Sequence, residues 1–134
     1  LPFSSILEQI IRQRKPEIAL IAATTSGREL APRIGMKTDS GVTADCTGLD
    51  IGEYINRKDK VIISPILESR RPTYGESKLA TILGFVCPQI STARAGTFEV
   101  PKKMEGREGI VSTFSPELNE KELFREVEVL RAIS

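Results

Sequence analysis

Four short stretches of this chain carry residue types that could do chemistry. Thr24-Thr25-Ser26-Gly27-Arg28 stands between an apolar run and a helical pattern. Hydroxyls, a glycine and an arginine at such a handover could cradle a phosphate, because strand ends and helix N-termini favour anions. The same residues fit a structural device. Ser26 and Glu29 have the S-x-x-E spacing of a capping box, and Glu29 would repel a phosphate there. The spacing matches neither a P-loop nor a dinucleotide fingerprint. In Gly41 to Leu49, Asp45 lies next to Cys46 between two threonines. A neighbouring carboxylate raises a thiol's pKa, so Asp45 reads as a turn residue bonding backbone donors and not as a thiol activator. In Ser69 to Lys78, Arg70 and Arg71 precede Pro72, Tyr74 and Gly75. They could bind a phosphate or a partner's carboxylates, or belong to a solvated loop. Arg94, at the end of a strand pattern, has the same two readings, with a nearby acid as its local partner.

The missing residue types exclude much else. With no histidine among 134 residues, no serine–histidine triad, imidazole base or histidine metal ligand can be built within this chain. The two cysteines, Cys46 and Cys87, form no C-x-x-C pair and are too few for a zinc or iron–sulfur site. They read as buried free thiols; a disulfide would need the fold to bring them together. Tryptophan is absent, so stacking platforms for bases or flavin rings are hard to build. A net charge of +1 gives no reason to expect nucleic acid. No apolar run reaches the length of a membrane span, and the start lacks a signal-peptide pattern, which reads as a cytoplasmic chain.

Positioning these residues falls to the hydrophobic patterning. Ile6, Leu7, Ile10 and Ile11 predict an amphipathic helix over Leu1 to Lys15, ended by Pro16. The unalternating run Ile18 to Ala23 suits a central strand of a parallel sheet, buried on both faces. A second helix is expected from Gly27 to Ile34, interrupted by Pro32. Further strands are expected at Val42 to Ile51, Val61 to Leu67, Leu79 to Val86, Ile90 to Ala95 and Ile110 to Phe114, with turns at Gly52-Glu53-Tyr54 and Arg57 to Lys60. The tail is read as a helical turn at Glu120 to Phe124 followed by a strand. This rhythm predicts one α/β domain over 1–134, with a parallel core sheet and antiparallel strands added in the second half. A helix before the first strand suggests that an opening β-α unit is missing upstream.

Five motifs, in order, resemble the alpha subunit of electron-transfer flavoproteins. They are G-R-E-L-A-P-R at Gly27 to Arg33, T-A-D-C-T-G-L at Thr43 to Leu49, R-P-T-Y-G at Arg71 to Gly75, L-A-T-I at Leu79 to Ile82, and A-R-A-G-T-F at Ala93 to Phe98. The resemblance covers Pro16 to Phe98. It implies a Rossmann-like three-layer domain of the adenine nucleotide alpha hydrolase type. It also implies an electron-carrier subunit domain without catalytic residues of its own, partnered by a beta subunit, by a separate FAD domain or by self-association. The family's flavin motif, S-G-A-x-Q-H, has no counterpart here, and Gly75-Glu76-Ser77 and Ala95 depart from the family's G-G-N and R-P-G. FAD is therefore expected elsewhere in the complete protein, with the reaction belonging to the cofactor. The alternative is a stand-alone AMP- or ATP-binding module using Thr24 to Arg28. Arg70, Arg71, Tyr74 and Arg94 are the candidate partner contacts.

Overall fold

A computed structural model describes residues 2–75 and 77–119. The first helix, α1 (Pro2–Arg14), ends where Lys15 takes a positive φ of 46° ahead of Pro16. Its apolar residues Ile6, Leu7, Ile10 and Ile11 are half-buried, and its fully buried positions are Ser4 and Ser5. Ser5 sits at the contact with α2 (Thr25–Lys37), where Lys37 Nζ reaches Ser5 Oγ at 3.3 Å and Glu8 at 2.9 Å. Arg12 completes the knot through Glu8 at 3.0 Å and the Lys37 carbonyl at 2.9 Å.

Between the helices runs β1 (Ile18–Ala22), followed after α2 by β2 (Val42–Cys46). Both pair in parallel with β6 (Gln89–Ala93), which lies between them in the order β1-β6-β2. β1 is thus an edge of the described sheet and not its centre, and Leu20 is 56% exposed. The centre is held by a strand with polar side chains. Its residues alternate in direction, as a pleat requires. Ile90, level with Val42, belongs to the face where Val42 packs against Gly35 of α2. Gln89 and Ser91 turn the other way, toward a second sheet.

That second sheet is antiparallel, in the order β3 (Gly48–Ile55), β4 (Ile62–Thr73), β5 (Lys78–Leu83). The α/β expectation holds, with the added strands forming a layer of their own. The run from Val42 to Ile51 is two strands in different sheets, divided at Thr47. Gly52 to Tyr54 continues β3 and makes no turn. Gly52 leaves room there for the Glu68 side chain, whose Oε1 would lie 2.3 Å from a Cβ. The turn at Asn56 to Lys60 is present, closed by Asn56 N donating to Val61 O at 2.9 Å. β4 extends through Arg70 and Arg71, and the hairpin begins at Tyr74 and Gly75, both with positive φ.

The two sheets are joined by a buried polar seam. Gln89 Oε1 accepts from Leu67 N at 2.6 Å, its amide nitrogen donates to Pro65 O at 3.3 Å, and Ser69 and Ser91 hydroxyls meet at 2.7 Å. Ile66, Leu67, Ile90, Cys46, Ile34 and Ala31 supply the apolar core around it. Residues 110–114 form no strand: Ile110 and Val111 are 100% and 98% exposed. The expectations for 120–134 lie outside the described residues.

Candidate functional site

Parallel strands bring their carboxyl ends to one place, where three of the four chemistry-bearing stretches meet and the fourth reaches in through Arg71. Ala23 N donates to Ala93 O and Arg94 N to Cys46 O, both at 2.8 Å, so the exits of β1, β6 and β2 are side by side. Between Thr43 and Cys46 the β2–β6 register slips, and Asp45 adopts φ +60° with its N–H held by Thr92 Oγ1 at 2.8 Å. A bulge of this kind re-aims a side chain. It delivers the Asp45 carboxylate to two arginines. Arg94 grips Oδ2 through Nη2 at 2.7 Å and Nε at 3.2 Å, and Arg28 Nη2 reaches Oδ1 at 3.0 Å.

Three cationic side chains converge on this one acid. Arg71 adds its field from β4, and its Nε is buried without a hydrogen-bond partner among the described residues. Arg94's hydrogen bonds are the strongest influence on Asp45 and hold its pKa below the usual carboxylate value, with Arg28 and Arg71 acting in the same direction against burial. The cluster stays accessible, with the Arg28 side chain 58% exposed.

The start of α2 is capped by a different hydroxyl from the one the capping-box reading named. The cap is Thr24, whose Oγ1 accepts from Gly27 N at 3.1 Å; Ser26 lies inside the helix. Glu29 pairs instead with Arg33 at 3.1 Å. The helix continues through Pro32 to Lys37, held by the buried Ala31, Ile34 and Gly35. Arg28 Nε donates to Ala23 O at 3.0 Å, alongside the Nη2 bond to Asp45. Asp45 was legible only as a structural turn residue; its role as the hub follows from the rule that parallel strands aim their ends together.

The arginine pair on β4 is divided. Neighbouring strand residues point to opposite faces. Arg71 shares Ser69's face, toward the parallel sheet, whereas Arg70 lies over Gly48 and reaches Asp50 at 3.6 Å. Tyr74 is 83% exposed at the hairpin tip, with Lys78 Nζ 5.7 Å from its ring centre. It does not join the Asp45 cluster.

Two clefts among the described residues can be compared with what a dinucleotide needs. A cleft of about 350 Å³ between the sheets is bordered by Val42, Leu67, Ile82, Phe85, Gln89 and their neighbours, with no cation to receive a diphosphate. A second groove of about 430 Å³ beside the end of α1 has Arg12 and Lys15, but Arg12 is engaged by Glu8 and the Lys37 carbonyl. Among the described residues no cluster of acids and thiols could hold a metal ion, and no helix is long and apolar enough to cross a membrane.

Both cysteines are free, but they differ. Cys46 is buried and Cys87 exposed. Burial pushes the Cys46 thiol's pKa up, opposed by the Ser91 and Ser69 hydroxyls, with Asp45 adding a smaller rise. Titration of the native chain with a chromogenic disulfide at pH 8 should show one prompt thiol, and a second reacting about 100-fold more slowly. A Cys87→Ser variant should lose the prompt phase.

The geometry defines the class: a three-layer α/β domain whose strand exits carry an ion-paired arginine cluster. The electron transfer flavoprotein domain family matches residues 1–119, and the chain belongs to that family. It is similar to the electron transfer flavoprotein subunit alpha of Thermoanaerobacterium thermosaccharolyticum, 35% identical over 125 residues that make up 90% of this chain and 34% of that protein. The subunit alpha of Clostridium acetobutylicum is 40% identical over 101 residues, 72% of this chain and 26% of that protein. Protein FixB of Rhizobium meliloti is 32% identical over 127 residues, 94% of this chain and 33% of that protein. The chain spans about a third or less of the length of these relatives.

Proposed function

We propose that this chain is the non-flavin scaffold of an electron carrier, supporting electron transfer through an FAD held elsewhere and contacting a beta-type subunit. Family membership supports the electron-transfer role, and the relatives' names as alpha subunits support a partnered one. The observation that carries the interaction reading is the Asp45 cluster. Among the described residues three arginines gather around the Asp45 carboxylate at the partly exposed strand exits, guanidinium groups of the kind that receive a partner's acidic groups. Arg70 and Tyr74 contribute, on this reading, at separate places on the outer sheet.

The test is the spectrum and melting behaviour of the purified chain. It should be colourless, its melting temperature should not move with 1 mM FAD or AMP, and it should form a 1:1 complex with the beta-type subunit of its source organism. A ligand at 100 times its Kd would stabilise by about 2.7 kcal/mol, an easily seen shift. A shift with FAD would return the flavin to this chain. A shift with AMP or ATP would favour the adenine-nucleotide module.

A further inference from the structure

The hairpin that joins β3 to β4 ends in a turn organised by one side chain. Asn56 N donates to Val61 O at 2.9 Å and Lys60 N to Asn56 O at 2.8 Å. The Asn56 side chain accepts from Lys58 N at 3.0 Å and donates to Asp59 Oδ2 at 3.2 Å. Asp59, the acid of the turn, is thus engaged within it, whereas Arg57, Lys58 and Lys60 stand exposed. Among the described residues none of these three cations forms an ion pair. Exposed aliphatic side chains follow at once. Ile55 and Ile62 lie opposite each other in the ladder, 58% and 60% exposed, and Val61, between Ile62 and the turn, is 52% exposed. Neighbouring residues of an extended chain point to opposite faces, so Val61 and Ile62 open apolar surface on both sides of the ribbon. Glu53 is exposed two residues behind Ile55, farther from the tip.

Charge and side-chain type together decide what this tip can meet. The three cations call for an anionic surface. Two of them are lysines, a residue depleted at protein–protein interfaces and common where a chain lies against anionic lipid. A flat protein surface would also cover one face of the ribbon and leave the other in water. The headgroup layer of a bilayer surrounds what enters it and is roughly 5–7 Å deep on each side. A strand rises about 3.4 Å per residue, so Ile55, Val61 and Ile62 fall within that depth of the turn. A tilted hairpin can then settle these aliphatics at the acyl boundary. The long stems of Lys58 and Lys60 carry their ammonium groups back to the lipid phosphates. Each cation close to an anionic surface strengthens binding by about fivefold.

We propose that the tip of the β3–β4 hairpin, from Ile55 to Ile62, is a peripheral docking site for anionic lipid headgroups. The experiment is sedimentation of the full chain with two kinds of vesicle, pure phosphatidylcholine and phosphatidylcholine mixed seven to three with phosphatidylglycerol. Two variants accompany it, Lys58→Glu/Lys60→Glu and Ile55→Ser/Ile62→Ser, each with its melting curve. The expected result is binding of the unaltered chain to the mixed vesicles and none to pure phosphatidylcholine. The charge-reversed variant should bind at least 20-fold more weakly, and the serine variant about fivefold more weakly or less, both at unchanged melting temperature. No binding of the unaltered chain to the mixed vesicles would overturn the site, as would equal binding by the charge-reversed variant. A serine variant that binds like the unaltered chain would reduce the contact to surface adsorption and overturn the seated hairpin. If vesicles are ignored while hydrogen exchange at 55–62 slows in a complex with the beta-type subunit, the tip belongs to an acidic protein surface and the lipid site falls.

Discussion

Gly27→Ala is expected to lower the melting temperature by roughly 10 °C, corresponding to about 3 kcal/mol. Gly27 lies in the first turn of α2, where the helix passes under the end of β1. An added Cβ would meet the Ala22 carbonyl oxygen at 1.9 Å, the Ala22 carbonyl carbon at 3.1 Å and Ile21 Cγ2 at 3.2 Å. The first two are backbone atoms of a strand bonded to β6, so no rotamer change can relieve the overlap. Either α2 moves outward, disturbing the buried Ala31 and Ile34, or the Thr24 cap is lost. Gly41→Ala is the control: a Cβ there meets nothing within 4 Å, and its melting temperature should stay within about 2 °C of the unaltered chain. Thermal unfolding followed by circular dichroism reads both. A Gly27→Ala chain that melts with the unaltered protein would mean the helix sits farther from β1 than described.

The second large effect is expected at Asp45. Asp45→Asn removes the charge but keeps a side chain that tolerates φ +60°, and should destabilise by about 2 kcal/mol. Asp45→Ala also loses that tolerance and should cost about 3 kcal/mol, leaving Arg28, Arg94 and Arg71 without their acid. Because Arg94 and Arg28 depress the Asp45 pKa in the folded state, its contribution is complete above the unfolded value of about 3.9 and is lost as pH falls through the folded value. Glu8, depressed chiefly by Lys37, adds an acid-labile contribution of the same sign at the helix–helix contact. Urea unfolding at pH 7 and pH 3 should therefore show a smaller loss on acidification for Asp45→Asn than for the unaltered chain. An identical loss in the two would remove Asp45 from the account. Added salt should narrow the gap between Asp45→Asn and the unaltered chain at pH 7, because the arginines are partly exposed.

Much of the architecture was legible in the sequence, and the gaps have physical causes. The apolar run at Ile18 to Ala22 announced a parallel-sheet strand, but not its place in the sheet. The centre went to Gln89-Ile90-Ser91-Thr92-Ala93, whose polar side chains are buried at little cost because Leu67, Pro65, Ser69 and Asp45 supply their partners. Those partners lie far away in sequence, so polarity alone misleads. At the start of α2, three hydroxyls compete to cap one helix, and the close approach of Gly27 to Ala22 fixes the register in favour of Thr24. Arg70 and Arg71 read as a pair because sequence adjacency hides the alternation of a strand. Asp45 passed for a turn residue because its two arginine partners, Arg28 and Arg94, come from separate elements that only the parallel topology brings together.

The central position of β6 also dictates the order in which the molecule can be assembled. Among the described residues β1 and β2 do not pair with each other; each is joined to β6, a strand that follows the whole antiparallel sheet in the chain. A nascent polypeptide that has emerged only as far as β5 can zip the local β3-β4-β5 meander, yet it holds β1 and β2 apart around a vacant slot. The β1–β6 ladder has the greatest sequence separation of those described, so it carries the largest loop-closure entropy. The antiparallel sheet is thus a local meander, and the parallel sheet a keystone arch, complete only when β6 lies between its two shoulders.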